Sequence, residues 1–221
     1  YKRQVYAARA EQVGVPEPRT ILVAPTWGRN GLLTRTGSLV PKLLASAGYH
    51  VILRPHPQSF ISDREVMERV AADLQTCKNV EWDRNPDGFS SLSRASLMVS
   101  DVSGVIFDFA FVFLRPVISV GNGPLKEGFE AWEIPHEAWE MKALDQIGRR
   151  VPAGNESVIP TMVEEMLGDL TTQTEAIRRV RDENVVNFGH AGGPIADALV
   201  AAAQAHSVQL QSSLHSSVEA A

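Results

Sequence analysis

Three short stretches carry side chains suited to holding an anion. Residues 100–104, Ser-Asp-Val-Ser-Gly, follow an apolar run at 95–99 and precede a second at 116–120. Residues 54–57, Arg-Pro-His-Pro, end another apolar run, and residues 25–31, Pro-Thr-Trp-Gly-Arg-Asn-Gly, end a third. A strand that ends in Ser, Asp or Gly and feeds a helix leaves backbone N–H groups unpaired at the helix start. The helix dipole adds positive potential there. Such a position suits phosphate.

Each of these residues has a plainer alternative. Gly104 permits close backbone approach, and Ser103 can cap the helix or donate its hydroxyl to a phosphate oxygen; the competing reading is that Asp101 and Ser103 only cap. Asp108 lies five residues after Ser103, where a carboxylate could accept from both hydroxyls of a ribose. Flanked by Phe107, Phe109 and Phe111, it needs a partner, and Arg115 is the structural candidate. His56 sits between two prolines that fix the backbone, with Arg54 two residues back, so the pair can donate to a diphosphate. The competing reading is a surface histidine. Thr26, Trp27 and Arg29 follow the first apolar run. Residues 187–193, with Gly189 and His190, precede the last helical stretch and read as another open helix start or as a simple turn. His50, His136, His206 and His215 have no comparable setting.

These residues need a scaffold that brings strand ends together. Compact β-prone runs occur at 20–24, 49–53, 80–82, 97–99 and 117–120. Helical patterns fall between them at 39–47, 63–75, 90–95 and 103–113, and further helices close the chain at 157–167, 174–186 and 194–205. Nearly all-apolar strands separated by helices predict a parallel sheet covered on both faces, a doubly wound, Rossmann-like α/β fold. In such sheets ligands bind beyond the carboxyl ends of the strands, where all three polar stretches lie. Residues 1–18 read as a leader, 19–205 as one nucleotide-donor-binding domain and 206–221 as a flexible tail. From 125 to 152 the periodicity weakens around Trp132 and Trp139, which predicts loops and one short helix.

Composition removes several function classes. The 221 residues are 44% hydrophobic, enough for a substantial core, and the net charge of -5 argues against wrapping a nucleic acid. The single cysteine, Cys77, has no neighbour at metal-ligand spacing and fits a reducing compartment. No apolar run is long enough for a membrane span, and the first residues lack the apolar core of a signal peptide. The sequence starts without Met, so the expectation is a part of a longer protein. The 121–123 Gly-Asn-Gly is not followed by the third glycine of a dinucleotide fingerprint, and there is no nucleophile elbow, zinc-peptidase helix motif or P-loop. No metal or cofactor is called for.

In order and spacing, Ala24-Pro25-Thr26-Trp27, Arg54-Pro55-His56-Pro57, Ser100-Asp101-Val102-Ser103-Gly104 with Asp108, Arg115-Pro116-Val117-Ile118 and Gly189-His190-Ala191 resemble the donor-binding half of the CDP-glycerol glycerophosphotransferases. That family builds teichoic acids and related capsule polymers on a two-domain glycosyltransferase-B scaffold. The resemblance covers 19–205 and implies the C-terminal half of that scaffold. It implies that His56 contacts the donor diphosphate as the catalytic group of this half. Thr26, Trp27, Arg29, Arg54, Ser103 and Gly104 would form the rest of the diphosphate site, with Asp101 and Asp108 toward the nucleoside and Gly189 and His190 at the cleft edge. Gly104 stands where the family has a second serine. The implied reaction moves a glycerol-phosphate-like unit from a CDP-activated alcohol to a polymer hydroxyl and releases CMP. The acid/base histidine and the contacts to a polymer or lipid-linked acceptor would belong to an N-terminal domain. The implied location is the cytoplasm, peripheral to the inner face of the membrane at most. Two rivals remain at this level: a UDP-sugar glycosyltransferase or UDP-N-acetylglucosamine 2-epimerase-like enzyme, and a non-catalytic nucleotide-binding or assembly module.

Overall fold

A short apolar strand buried on both faces must be hydrogen-bonded on both edges and covered above and below, and the chain meets both demands. A computed structural model describes residues 2–14, 16–121, 123, 136 and 138–219. In chain order the described elements are α1 (Lys2–Ala10), β1 (Thr20–Val23), α2 (Leu32–Thr36), α3 (Leu39–Ser46), β2 (His50–Leu53), α4 (Ser59–Ser62) and α5 (Arg64–Leu74). Then come β3 (Val80–Trp82), α6 (Phe89–Arg94), β4 (Leu97–Ser100), α7 (Val105–Phe113), β5 (Val117–Val120), α8 (Trp139–Ile147) and β6 (Gly148–Val151). The chain closes with α9 (Ile159–Gly168), α10 (Leu170–Asn184) and α11 (Gly192–Glu219).

The described strands form one sheet in the order β3-β2-β1-β4-β5-β6, every neighbouring pair parallel. The chain winds outward from β1 to β3, returns to the centre for β4 and winds outward the other way. The direction of winding therefore reverses between β1 and β4, where a crevice must open at the carboxyl edge. The doubly wound α/β fold expected from the apolar runs is the fold observed.

Side chains alternate across the strands. Ile21, Val23, Val51, Leu53, Leu97 and Val99 face one layer, packed with Leu32, Val40 and Leu44 of α2 and α3, Met67 and Val70 of α5, and Val163 of α9. Leu22, Ala24, Ile52 and Met98 face the other, against Tyr6 of α1, Leu92 of α6, Phe107, Phe109 and Phe111 of α7, Leu144 of α8 and Ile177 of α10. α7 is apolar almost all round and lies buried, which its sequence dictates. Leu114, in the left-handed conformation, ends it just before Pro116.

Besides the short α2 and α4, two elements were not anticipated. β6, in the stretch expected to be loops and one short helix, pairs with β5 through Gly148-Arg149-Arg150-Val151. Its polar sequence carries no strand signal, and Gly148 is fixed by packing: a Cβ there would collide with the Val117 carbonyl. α8 is the short helix expected in that stretch. The second is α1, inside the stretch read as a leader. It docks by Tyr6 Oη donating to Asp87 at 2.7 Å, Arg9 donating to the same carboxylate at 2.7 Å, and Tyr6 meeting Phe89 edge-on. The backbone of α11 is helical to Glu219, through the stretch read as a tail. Residues 122, 124–135 and 137, with Trp132, lie outside the described residues. Among the described residues no helix is long and apolar enough to cross a membrane.

At the β2 and β3 ends, Asp83 is buried and accepts from Arg54 Nη1 at 2.5 Å, from the Asn85 N–H at 2.9 Å and from the Ser91 hydroxyl. Burial pushes its carboxyl up, but those three donors together outweigh burial and hold it below the usual carboxylate range. A depressed folded-state pKa adds stability above the unfolded value of about 3.9, and that stability is lost as pH falls through the folded value. Asp83→Asn should therefore cost about 2–4 kcal/mol at pH 7, because it leaves Arg54 half-buried without its counter-ion. The difference from the parent should shrink as pH drops below 4, as read from urea midpoints at pH 7, 5 and 3.

Candidate functional site

The crevice is built around one carboxylate. Asp101 follows β4 directly and is 3% exposed. Its Oδ1 accepts from the Thr26 N–H at 2.8 Å and its Oδ2 from the Leu32 N–H at 2.7 Å, so it holds both ends of the 25–31 loop. Ser100 donates to the Ala24 carbonyl at 2.6 Å, and Ser119 of β5 donates to the Asp101 carbonyl at 3.0 Å. The ends of β1, β4 and β5 are thereby tied together. Burial raises the Asp101 pKa, opposed by the two amides and by the nearby Arg35 charge.

Within the loop, the Gly31 N–H returns to the Gly28 carbonyl at 2.9 Å, and the Gly28 N–H donates to Asp63 at 2.8 Å. Arg35 of α2 reaches across, donating to the Asn30 carbonyl at 2.9 Å and to the Val120 carbonyl at 2.8 Å. This exposed guanidinium over the crevice was missed in the sequence, where residues 32–38 were assigned to no element.

The start of α7 is open. No side chain caps it, and Ile106 and Phe107 take their bonds from the Ser103 and Gly104 carbonyls. The amides of residues 103–105 are left at the helix start, where an anion is stabilised. Gly104 is exposed, and a Cβ added there would meet nothing within 4 Å. Ser103 and Gly104 open onto a cavity of about 380 Å³ whose far wall is Ala138, Glu140 and Met141 at the start of α8, with Phe107 as its floor. Glu140, exposed in the first turn of α8, is a second residue that sequence reading missed, because its placement depends on β6.

His56 is exposed beyond the β2 end. Its Nδ1 accepts from the Gln58 N–H at 3.1 Å, which leaves Nε2 as the outward ring donor, and its ring lies 6.2 Å from the half-exposed Trp27 ring. Thr26, Trp27 and Arg29 follow the end of β1, His56 the end of β2, and Ser103 and Gly104 the end of β4, three consecutive strands of the sheet, but none of the first four lines the cavity that Ser103 and Gly104 open onto.

Other expectations need correction. Arg54 turns sideways to Asp83 and to the Asn85 carbonyl at 2.9 Å, away from the crevice. Asp101, expected toward the nucleoside, spends both oxygens on the loop. Asp108 is buried within α7 and does not line the cavity. Arg115, its suggested partner, instead caps the end of α6 through the Ser93 and Ala95 carbonyls at 2.5 and 2.6 Å, and burial pulls its pKa down to about 10. Gly189 and His190 line a separate hollow of about 570 Å³ against α1 and Val112. Among the described residues no group of His, Cys, Asp or Glu could hold a metal ion.

No family model and no curated protein matches the chain. Solved structures share its fold. The wall teichoic acid polymerase TagF is 17% identical with a TM-score of 0.51, the match covering 92% of this chain and 48% of that one. Anabaena Alr3699/HepE in complex with UDP-glucose is 11% identical with a TM-score of 0.55, covering 89% and 52%. A glycosyltransferase from Rickettsia africae ESF-5 is 13% identical with a TM-score of 0.51, covering 86% and 48%. The chain spans about half the length of these proteins. At such identities the likeness is one of fold, and it is the fold that the motif resemblance implied.

The loop's dependence on close packing is measurable. A Cβ on Gly31 would stand 2.8 Å from the Thr26 carbonyl oxygen and 3.1 Å from that of Gly28. Gly31→Ala should destabilise by about 1–3 kcal/mol, whereas Gly104→Ala, in open space at a helical φ, should change stability by less than about 1 kcal/mol. Equilibrium urea unfolding of the two variants checks the contrast.

Proposed function

We propose that this chain is the donor-binding half of a transferase that moves a glycerol-phosphate-like unit from a CDP-activated alcohol to a polymer hydroxyl, releasing CMP. The observation that carries the reading is the uncapped start of α7 at the β1/β4 crevice, opening onto a cavity bounded at its far side by Glu140. The motif order shared with the glycerophosphotransferases supports the donor class, and the fold shared with TagF supports the scaffold.

In this reading the donor diphosphate rests on the amides of residues 103–105, with the Ser103 hydroxyl donating to a phosphate oxygen. His56, its Nδ1 satisfied by Gln58, offers the Nε2 proton to the same group from the β2 side. Thr26, Trp27 and Arg29 close the site above β1. Glu140, which lines the same cavity, accepts from ribose hydroxyls, the role first assigned to Asp101 and Asp108. The acceptor oxygen attacks the phosphorus of the alcohol-phosphate, the bond to the CMP oxygen breaks, and CMP leaves with the electron pair. Amides fixed at a helix start stabilise that developing charge without reorganising. The base that takes the acceptor proton belongs to an acceptor-binding domain.

A second reading has its own support: the fold neighbour Alr3699/HepE is in complex with UDP-glucose, which favours a UDP-sugar donor on the same scaffold. Calorimetric titration with CMP, CDP-glycerol, UDP and UDP-glucose separates the two. The expected result is preference for the cytidine ligands. Ser103→Ala should weaken binding about three- to tenfold by removing the hydroxyl donor, and His56→Ala by a similar factor by removing the imidazole donor, both with unchanged folding. Preference for UDP establishes the second reading, and no response to any nucleotide at millimolar concentration removes both.

A further inference from the structure

Resting on the donor-site reading above, we infer that Asp101 is a positioning and specificity residue: by engaging the Thr26 and Leu32 amides itself, it withdraws those two amides from the ligand and leaves the α7 start as the seat of the diphosphate, the β1 loop contributing only side chains. Two helices begin at this crevice, α2 after the β1 loop and α7 after β4. In dinucleotide-binding sheets of the same strand order, the pyrophosphate sits at the helix that follows the first strand. Here the corresponding amides already face a carboxylate, at 2.8 and 2.7 Å.

The arrangement is held from several sides. Ser119 fixes the Asp101 backbone, Ser100 fixes the β1 end, and Arg35 spans from Asn30 to Val120 with its charge near the carboxylate. The same clamp keeps the Trp27-Gly28 turn folded toward Asp63. An incoming phosphate at the β1 loop would meet a fixed negative charge and no available amide at Thr26 or Leu32. At α7 it meets uncapped amides and the open space before Gly104. Discrimination follows: a nucleoside diphosphate seated on α7 is accepted, and a dinucleotide that needs the β1 loop is refused.

The test is amide-resolved NMR on the intact chain, titrated with CDP and separately with NAD. In the parent protein, CDP should shift the amides of 103–105 and leave those of Thr26 and Leu32 in place, and NAD should move neither set. In Asp101→Ala the Thr26 and Leu32 amides should become responsive to both ligands, and the preference for CDP over NAD should fall about tenfold or more. Added formate should restore the parental pattern by replacing the lost carboxylate, a rescue that a purely structural defect would not give. If Asp101→Ala does not fold, Asp101→Asn, which keeps one acceptor, should free one of the two amides and show half of the pattern. Parental Thr26 and Leu32 amides that move with CDP as strongly as 103–105 would overturn the inference, as would an Asp101 variant with unchanged selectivity. Silence at 103–105 in the parent instead sinks the donor-site reading, while the formate effect still reports on the clamp.

Discussion

A carboxylate removed from water must be satisfied in full or it costs several kcal/mol, and Asp101 is satisfied by two backbone amides of another strand's loop. That demand organises the carboxyl edge of the sheet. The 25–31 loop cannot relax without orphaning the buried charge, and the charge cannot turn outward without stripping two amides of their partner. Ser100 and Ser119 extend the constraint to the neighbouring strands, so the ends of β1, β4 and β5 behave as one unit. The open start of α7 is meaningful only because its surroundings are fixed in this way.

The fold was legible where burial is two-sided. β1, β2, β4 and β5 are nearly uninterrupted apolar runs, and helical periods between them leave little choice but a parallel sheet. β6 was not legible, because an edge strand needs neither apolar alternation nor a long run, and Gly148 is chosen by contact with Val117 rather than by strand preference. α1 was hidden for a related reason: its hold on the body comes from Tyr6 and Arg9 meeting Asp87, 81 and 78 residues away in sequence.

The site was legible by position and not by direction. The residues singled out at strand ends share one edge of the sheet, since in this topology every strand ends on the same side. Which way each side chain points was set by partners that sequence does not reveal. Arg54 is drawn to Asp83, 29 residues on, and Arg115 to the carbonyls closing α6. Asp108 belongs to the interior of an all-apolar helix. Arg35 and Glu140 were overlooked because an ordinary surface helix supplies each, and only the assembled sheet carries them to the crevice.

The distribution of charge around the crevice bears on how an anion is held there. The chain is acidic overall, and two of the arginines near the strand ends are engaged, Arg54 with a carboxylate and Arg35 with two carbonyls, while Arg29 on the β1 loop is exposed. In the proposed donor site, recognition then falls to the backbone amides and dipole of α7, with Arg29 and His56 as side-chain donors and no bidentate guanidinium clamp. Amides are directional and fixed, so they select the geometry of a diphosphate, but each contributes less attraction than a bidentate arginine. A half-site of that kind binds a dianion moderately and with weak dependence on salt. In the proposed transferase the nucleotide product leaves the same amides that held the donor, and moderate attraction at those amides keeps its release from being slowed.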